Sequence, residues 1–281
     1  MPTTRAQDPN TGSLPTKITG MAARFVARQI RSKPLAFRDA VPMISFTFDD
    51  VPASACELGA DILERYGTRG TFYVSGGICG TGSGPGAPLR ASIDQLRTIW
   101  AKGHEIGCHT FSHHAVRHIS LGELGLEIER NKAILKKIDG SIVVRNFAYP
   151  YGDMSVRAKR YLETRFDSCR SGHAGINVDI ANLGALKAWP LENASIDRTK
   201  IGELIAETVR TRGWLIFYSH DVAQQPSRYG VSPDLLECAV GTATGSGCAL
   251  TTIADGLRLL GWPSGETQAA LPLSATRPTD R

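Results

Sequence analysis

The stretch Ile44-Ser45-Phe46-Thr47-Phe48-Asp49-Asp50 decides how this chain is read. With Val41 and Met43 it forms an apolar run that Val51-Pro52 stops. A run this apolar suits a strand covered on both faces, as in parallel α/β sheets. Two adjacent carboxylates at the C-terminal end of such a strand repel each other. Both stay ionised in a cleft only if a cation lies beside them. The stretch therefore predicts a buried strand and asks for a metal whose other ligands come from elsewhere in the chain.

Working outward, strands and helices alternate. Ala55 to Tyr66 has apolar residues at helical spacing (Cys56, Leu58, Ile62, Leu63) and stops at Gly67. Thr71 to Val74, His104 to His109, Ile142 to Ala148, Phe166 to Cys169, Leu186 to Pro190, Trp214 to Tyr218 and Ala249 to Thr252 read as strands. Between them lie helical segments: Ser92 to Lys102, Ser120 to Ile138, Ser155 to Thr164, Thr199 to Arg212, Pro233 to Ala243 and Ile253 to Leu260. Ser92 is placed as an N-cap, and Ser120 with Glu123 as a capping box. This alternation predicts parallel βα units and an α/β fold. Asp49, Asp50, His109, Tyr151 and His220 all fall at the C-terminal ends of predicted strands, the end where a β/α barrel carries its chemistry. Gly76 to Pro88 is Gly-rich but lacks the Lys-Ser/Thr of a phosphate loop, and reads as a surface loop beside the site.

Length and composition narrow the class. A chain of 281 residues, 42% of them hydrophobic, suits one domain of α/β-barrel size, with two smaller domains as the other possibility. We divide it into a tail with a short basic helix (1–40, the helix over Met21 to Ile30), a catalytic domain (41–265) and a C-terminal tail (266–281). The formal net charge is +5, and the basic residues are scattered without interleaved aromatics, which argues against a nucleic-acid partner. Six cysteines include no C-x-x-C pair, so reduced thiols are expected. No apolar run approaches the length of a membrane span. Met1 to Gly20 is polar and lacks the apolar centre of a secretory signal, so the expectation is a soluble, cytoplasmic protein. Oligomeric state is not legible.

The search for further ligands ends at His109-Thr110-Phe111-Ser112-His113. Histidines four apart on a helix or tight turn can aim both imidazoles at one ion. With Asp50 they form a set of three protein ligands that leaves positions open for water and substrate, the pattern of a catalytic site. Such a site accepts Zn²⁺, Co²⁺ or Ni²⁺. Asp49 is then the spare carboxylate, placed to take a proton from a water at the metal. His220, closing an apolar strand, is placed to give a proton to a leaving group. His114 and His118 read as helix surface or as hydrogen-bonding neighbours of the site.

These residues resemble the polysaccharide deacetylases of carbohydrate esterase family 4, the group with the NodB homology domain. Thr47-Phe48-Asp49-Asp50, His109 to His113, Phe147 to Gly152 and Leu215 to His220 match four family motifs in order, and the resemblance spans about Pro42 to Leu260. It implies a distorted (β/α)7 barrel in a single domain. It implies one divalent metal ion, Zn²⁺ first, held by Asp50, His109 and His113. Asp49 would be the general base and His220 the general acid in removing N-acetyl groups from an N-acetylated oligo- or polysaccharide, with release of acetate. The backbone N–H of Tyr151, beside Pro150, would help hold the oxyanion. The chain departs from the family pattern at Ala148, where many members carry an arginine that tunes the catalytic Asp; Arg145 and Arg170 are the candidate substitutes. Asp197 is the candidate to orient His220, and Trp189 the candidate aromatic of the acetyl pocket, against a reading of Trp189 as core packing. Two alternatives accompany the deacetylase reading: a metal-dependent hydrolase of a non-sugar amide, and a catalytically silent carbohydrate-binding relative.

Overall fold

The computed structural model describes residues 25–37, 40–82 and 88–263. The predicted tails at 1–15 and 267–281, the start of the short helix at 21–24, and residues 83–87 of the Gly-rich loop lie outside the described residues.

Strand β2 (Met43–Asp49) is the centre, and all seven of its residues are buried. Beside it lie β3 (Thr71–Val74), β4 (Glu105–Cys108), β5 (Asn146–Ala148) and β6 (Ser168–Arg170) on one side, and β9 (Trp214–Ser219) and β8 (Trp189–Pro190) on the other. The order is β6-β5-β4-β3-β2-β9-β8, and every pairing is parallel. A short β10 (Ala249–Leu250) pairs with the start of β2. Helices connect the strands: α1 (Ala60–Arg65, entered through a π turn at Ala55–Gly59), α2 (Ile93–Ala101), α3 (Leu121–Ile138), α4 (Val156–Glu163), α5 (Arg198–Thr211), α6 (Pro233–Gly245) and α7 (Ile253–Leu259). This is the expected distorted (β/α)7 barrel. The edge strands β6 and β8 do not pair. The segment between them closes the gap through an Arg170–Leu186 bridge and the bonds Cys169 N→Leu183 O and Ser171 N→Leu186 O.

Strand periodicity sorts the side chains of β2 into two layers. Ile44, Phe46 and Phe48 face the helices in the largest hydrophobic cluster. Phe46 stacks on Phe217 and Phe48 on Phe72, with centroids 5.6 and 5.0 Å apart. Burying each ring contributes about 1.5–3 kcal/mol. Met43 joins Tyr73, Trp214 and Ile216 in the cluster inside the barrel. The inward polar groups are satisfied: Ser45 Oγ accepts from Trp214 Nε1 at 2.9 Å, and Thr47 Oγ1 donates to Phe217 O at 2.9 Å. The same alternation turns Asp49 inward. Gly107 lets the Tyr73 ring fill the interior, because a Cβ there would lie 2.5 Å from that ring.

Two helix starts form as read: Ser92 and Ser120 each complete a capping box, with Gln95 and Glu123. Several strands are shorter than expected. Only Asn146–Ala148 of the predicted 142–148 pairs, Leu186 to Pro190 reduces to Trp189–Pro190, and Ala249 to Thr252 to Ala249–Leu250. One pairing was not anticipated. The antiparallel ribbon of β1 (Pro34–Ala36) with β7 (Ile180–Asn182) docks the described part of the N-terminal segment on the barrel. There Lys159 Nζ bonds Ile30 O at 2.7 Å and Ala27 is fully buried.

Candidate metal centre and active site

At the C-terminal end of β2 the backbone turns sharply. Asp50 and Val51 have φ of 57° and 43°, and Thr110, His113 and Tyr151 are also left-handed at 56–61°. Five of the seven non-glycine residues in this region of φ therefore gather at one place among the described residues. Such conformations disfavour side chains with a Cβ, a β-branched valine above all, and concentrate at functional sites.

The turns bring together what the sequence placed far apart. The ligand atoms of Asp50, His109 and His113 lie within 4.8 Å of one another, the only such cluster among the described residues. Asp50 Oδ1 is 2.9 Å from His113 Nε2 and 3.5 Å from His109 Nε2. It is buried and makes no hydrogen bond of good geometry. An ion with bonds of about 2.0–2.2 Å spaces tetrahedral ligands about 3.3 Å apart, so a divalent cation fits this donor set. His109 is set up for that role. Its Nδ1 sits 2.9 Å from Ala148 O, so the Nδ1 proton goes to the carbonyl and Nε2 is left as the donor atom. Burial holds its pKa down to about 4, in the neutral form a ligand requires.

The turn carrying the two histidines is not helical. It is held by Glu127 on α3, whose carboxylate accepts from Phe111 N at 3.1 Å, Ser112 N at 2.7 Å and Ser112 Oγ at 3.0 Å. Ser75 Oγ donates to His109 O at 2.7 Å. Arg90 reaches Asp50 Oδ2 at 3.0 Å, which fixes the second oxygen of that carboxylate. Sequence reasoning missed both Glu127 and Arg90. A charged residue between the inward-facing Leu124 and Ile128 was the one available signal for Glu127; nothing marked Arg90.

Asp49 stands apart from the donor cluster and pairs with Arg170. Both side chains are almost wholly buried. Burial alone would raise the Asp49 carboxyl; the Arg170 guanidinium, helped by His109 and His220, overcomes this and holds it below its ordinary value. Of the two candidate arginines, Arg170 on β6 is thus the one that meets Asp49. Arg145 is not: it lies 3.4 Å from Asp167. Arg170 also sits between the Tyr73 and Tyr218 rings, 5.3 and 4.9 Å from their centroids.

His220 follows β9 and is half-buried. Its Nδ1 lies 3.2 Å from Tyr229 O, and its own N–H donates to the same carbonyl. That carbonyl orients the ring. Asp197 does not. Its carboxylate caps α5, accepting from Lys200 N at 2.8 Å at an exposed helix start. Trp189 is likewise corrected. Its ring packs on the helix-facing cluster outside the sheet, with Lys200 Nζ 5.7 Å above it, and takes the core role. Tyr151 is 43% exposed with its ring 4.5 Å from His113, and Pro150 is buried next to it. His114 and His118 lie 4.0 and 3.8 Å from Glu127 and Asp153, outside the donor cluster.

Residues 38–165 match the family model described as polysaccharide deacetylase. The chain is 24% identical over 197 residues to a chitin deacetylase of Colletotrichum lindemuthianum, covering 65% of this chain and 68% of that protein. Three further curated matches span only 16%, 22% and 25% of their proteins. In three dimensions it is similar to the chitin deacetylase structure from the fungal pathogen Colletotrichum lindemuthianum (TM-score 0.58, 18% identity, 79% of this chain and 89% of that one). It is also similar to a family 4 acetyl xylan esterase from Clostridium thermocellum in complex with a cobalt ion (TM-score 0.55, 22% identity, 79% and 93%). No described helix is long and apolar enough to cross a membrane.

Proposed function

We propose that this chain, whose residues 38–165 match the polysaccharide deacetylase family model, is a metal-dependent hydrolase that removes N-acetyl groups from an N-acetylated oligo- or polysaccharide and releases acetate. The observation that carries this reading is the division of the two neighbouring aspartates. Asp50 converges with two histidines, while Asp49 is held back and kept ionised by Arg170.

Asp50, His109 and His113 hold one divalent ion, Zn²⁺ first among the candidates. Such an ion polarises a carbonyl oxygen and lowers the pKa of a water. The chain's own residues do the rest. Asp49 accepts the proton that the attacking water gives up. The carbonyl carbon of the acetamido group becomes tetrahedral, and the Tyr151 backbone N–H donates to the oxygen that gains charge there. His220, with its Nδ1 proton committed to Tyr229 O, delivers a proton from Nε2 to the amine as the C–N bond breaks. An amide needs that acid, because an unprotonated amine is a poor leaving group. The products are acetate and a free amine on the sugar.

The test is acetate release from N-acetylglucosamine oligomers by metal-stripped protein, with and without added Zn²⁺ or Co²⁺. Release that depends on the metal supports the reading. One tightly bound metal per chain with no acetate from any oligomer rejects the substrate class and turns the search to non-sugar amides.

A further inference from the structure

The chain has seven tyrosines. Tyr66, Tyr73, Tyr149, Tyr161 and Tyr218 are buried or half-buried; Tyr151 and Tyr229 are 43% and 47% exposed. Each of the exposed pair leans on a different histidine of the site, Tyr151 on His113 at 4.5 Å and Tyr229 on His220 at 5.5 Å between centroids. They follow β5 and β9, which lie on either side of β2 in the sheet order. The two rings thus bracket the carboxylates at the end of β2.

An exposed tyrosine by itself means little. Tyr229 differs because buried chemistry fixes its position. Asp221, 3% exposed, accepts from Ser227 N at 2.8 Å and from Ser227 Oγ. Val231 N donates to Asp221 O at 2.9 Å and closes the loop at its base. Gly230 packs so tightly that a Cβ would lie 2.5 Å from the Asp221 carboxylate. The Tyr229 backbone is therefore clamped between Asp221 and His220 while its ring faces solvent. A rigid tyrosine offers a flat apolar face and a hydroxyl at little entropic cost, which matches the C–H face and hydroxyls of a pyranose. The exposed Arg228 guanidinium, 5.7 Å from the ring centroid, adds N–H donors beside it.

We infer that Tyr229 is a stacking platform for a sugar next to the one being deacetylated, so that the preferred substrate is an oligosaccharide lying across the mouth from Tyr151 to Tyr229. This rests on the deacetylase reading for its substrate class. The test measures binding of the N-acetylglucosamine dimer and tetramer by calorimetry to the zinc-loaded full chain, in an Asp49→Asn background that blocks turnover. Tyr229→Ala removes the ring and keeps the carbonyl that His220 uses. It is expected to weaken tetramer binding about tenfold, the scale of a truncated aromatic anchor, while the dimer is much less affected. Tyr229→Trp, which keeps an aromatic face, is expected to restore the tetramer. Equal tetramer affinity with and without the ring, or tetramer binding lost in Tyr229→Trp as in Tyr229→Ala, would overturn the platform. If the wild type releases no acetate, the deacetylase reading fails while the binding comparison still decides on Tyr229. Tetramer binding that needs the ring upholds the platform, and failure of the wild type to bind any oligomer removes it.

Discussion

Replacing Arg170 by methionine removes the positive charge from a pair that water does not reach. Arg170 is 1% exposed and Asp49 4%, and the guanidinium is enclosed by Tyr73 and Tyr218. The pair spans the barrel interior from β6, at the sheet edge, to the central β2. An exposed ion pair is worth about 0–1 kcal/mol. Breaking a buried one leaves an uncompensated charge and costs about 3–5 kcal/mol. That is a large part of the roughly 5–15 kcal/mol that holds a domain folded. The assay is urea unfolding at pH 7 of metal-stripped wild type, Arg170→Met, Asp49→Asn and the double variant. We expect Arg170→Met to lose about 3–5 kcal/mol. The double variant should lose less than the two singles together, with a coupling of about 2 kcal/mol or more. A loss under about 1 kcal/mol for Arg170→Met, or singles that simply add, would refute the view that Arg170 neutralises a buried Asp49.

Three further outcomes follow from the same structure. His104 is fully buried, with Nδ1 accepting from Gly70 N at 3.0 Å, and burial lowers its pKa to about 4. The unfolded chain therefore binds the extra proton between about pH 6.5 and 4; the stability His104 contributes is present above about 6.5 and lost as pH falls, about 3 kcal/mol in all and about 2 kcal/mol of it by pH 5. Urea unfolding at pH 7.5 and 5 should show a flatter pH dependence for His104→Asn than for the wild type; identical slopes would contradict this. Glu127→Ala frees the turn between the two histidines, and isothermal titration should show Zn²⁺ affinity reduced about 10–100-fold, whereas unchanged affinity would mean that the turn holds itself. His220→Ala should keep its metal and lose about 10²–10⁴ in turnover, and a near-normal rate would remove it as the acid.

How far the sequence could be read depends on the range of the interaction. β2 was legible because an apolar run stopped by Val51-Pro52 is a local signal, although the alternation of Ser45 and Thr47 into the barrel was hidden among apolar neighbours. The caps at Ser92 and Ser120 were legible for the same reason, each being complete within four residues. The donor set was legible as a pattern of residue types, but not the left-handed turns at Asp50, His113 and Tyr151 that make it converge. No glycine marks those positions, and tertiary packing imposes the conformation. Arg170 could be named only as one of two candidates, because its partner Asp49 lies 121 residues away. Asp197 illustrates the opposite error. An aspartate before a helix reads as a functional carboxylate or as an N-cap, and the exposed helix start at Arg198 decides for the cap. Strands β1 and β7, three residues each, carry no periodicity long enough to read.

The most direct test of the division of labour between the two aspartates is metal content measured beside acetate release in one variant, Asp49→Asn. With the ligands at Asp50, His109 and His113, the variant should keep one metal ion per chain and lose nearly all activity. Loss of the metal together with the activity would place Asp49 among the ligands and contradict its role as the base.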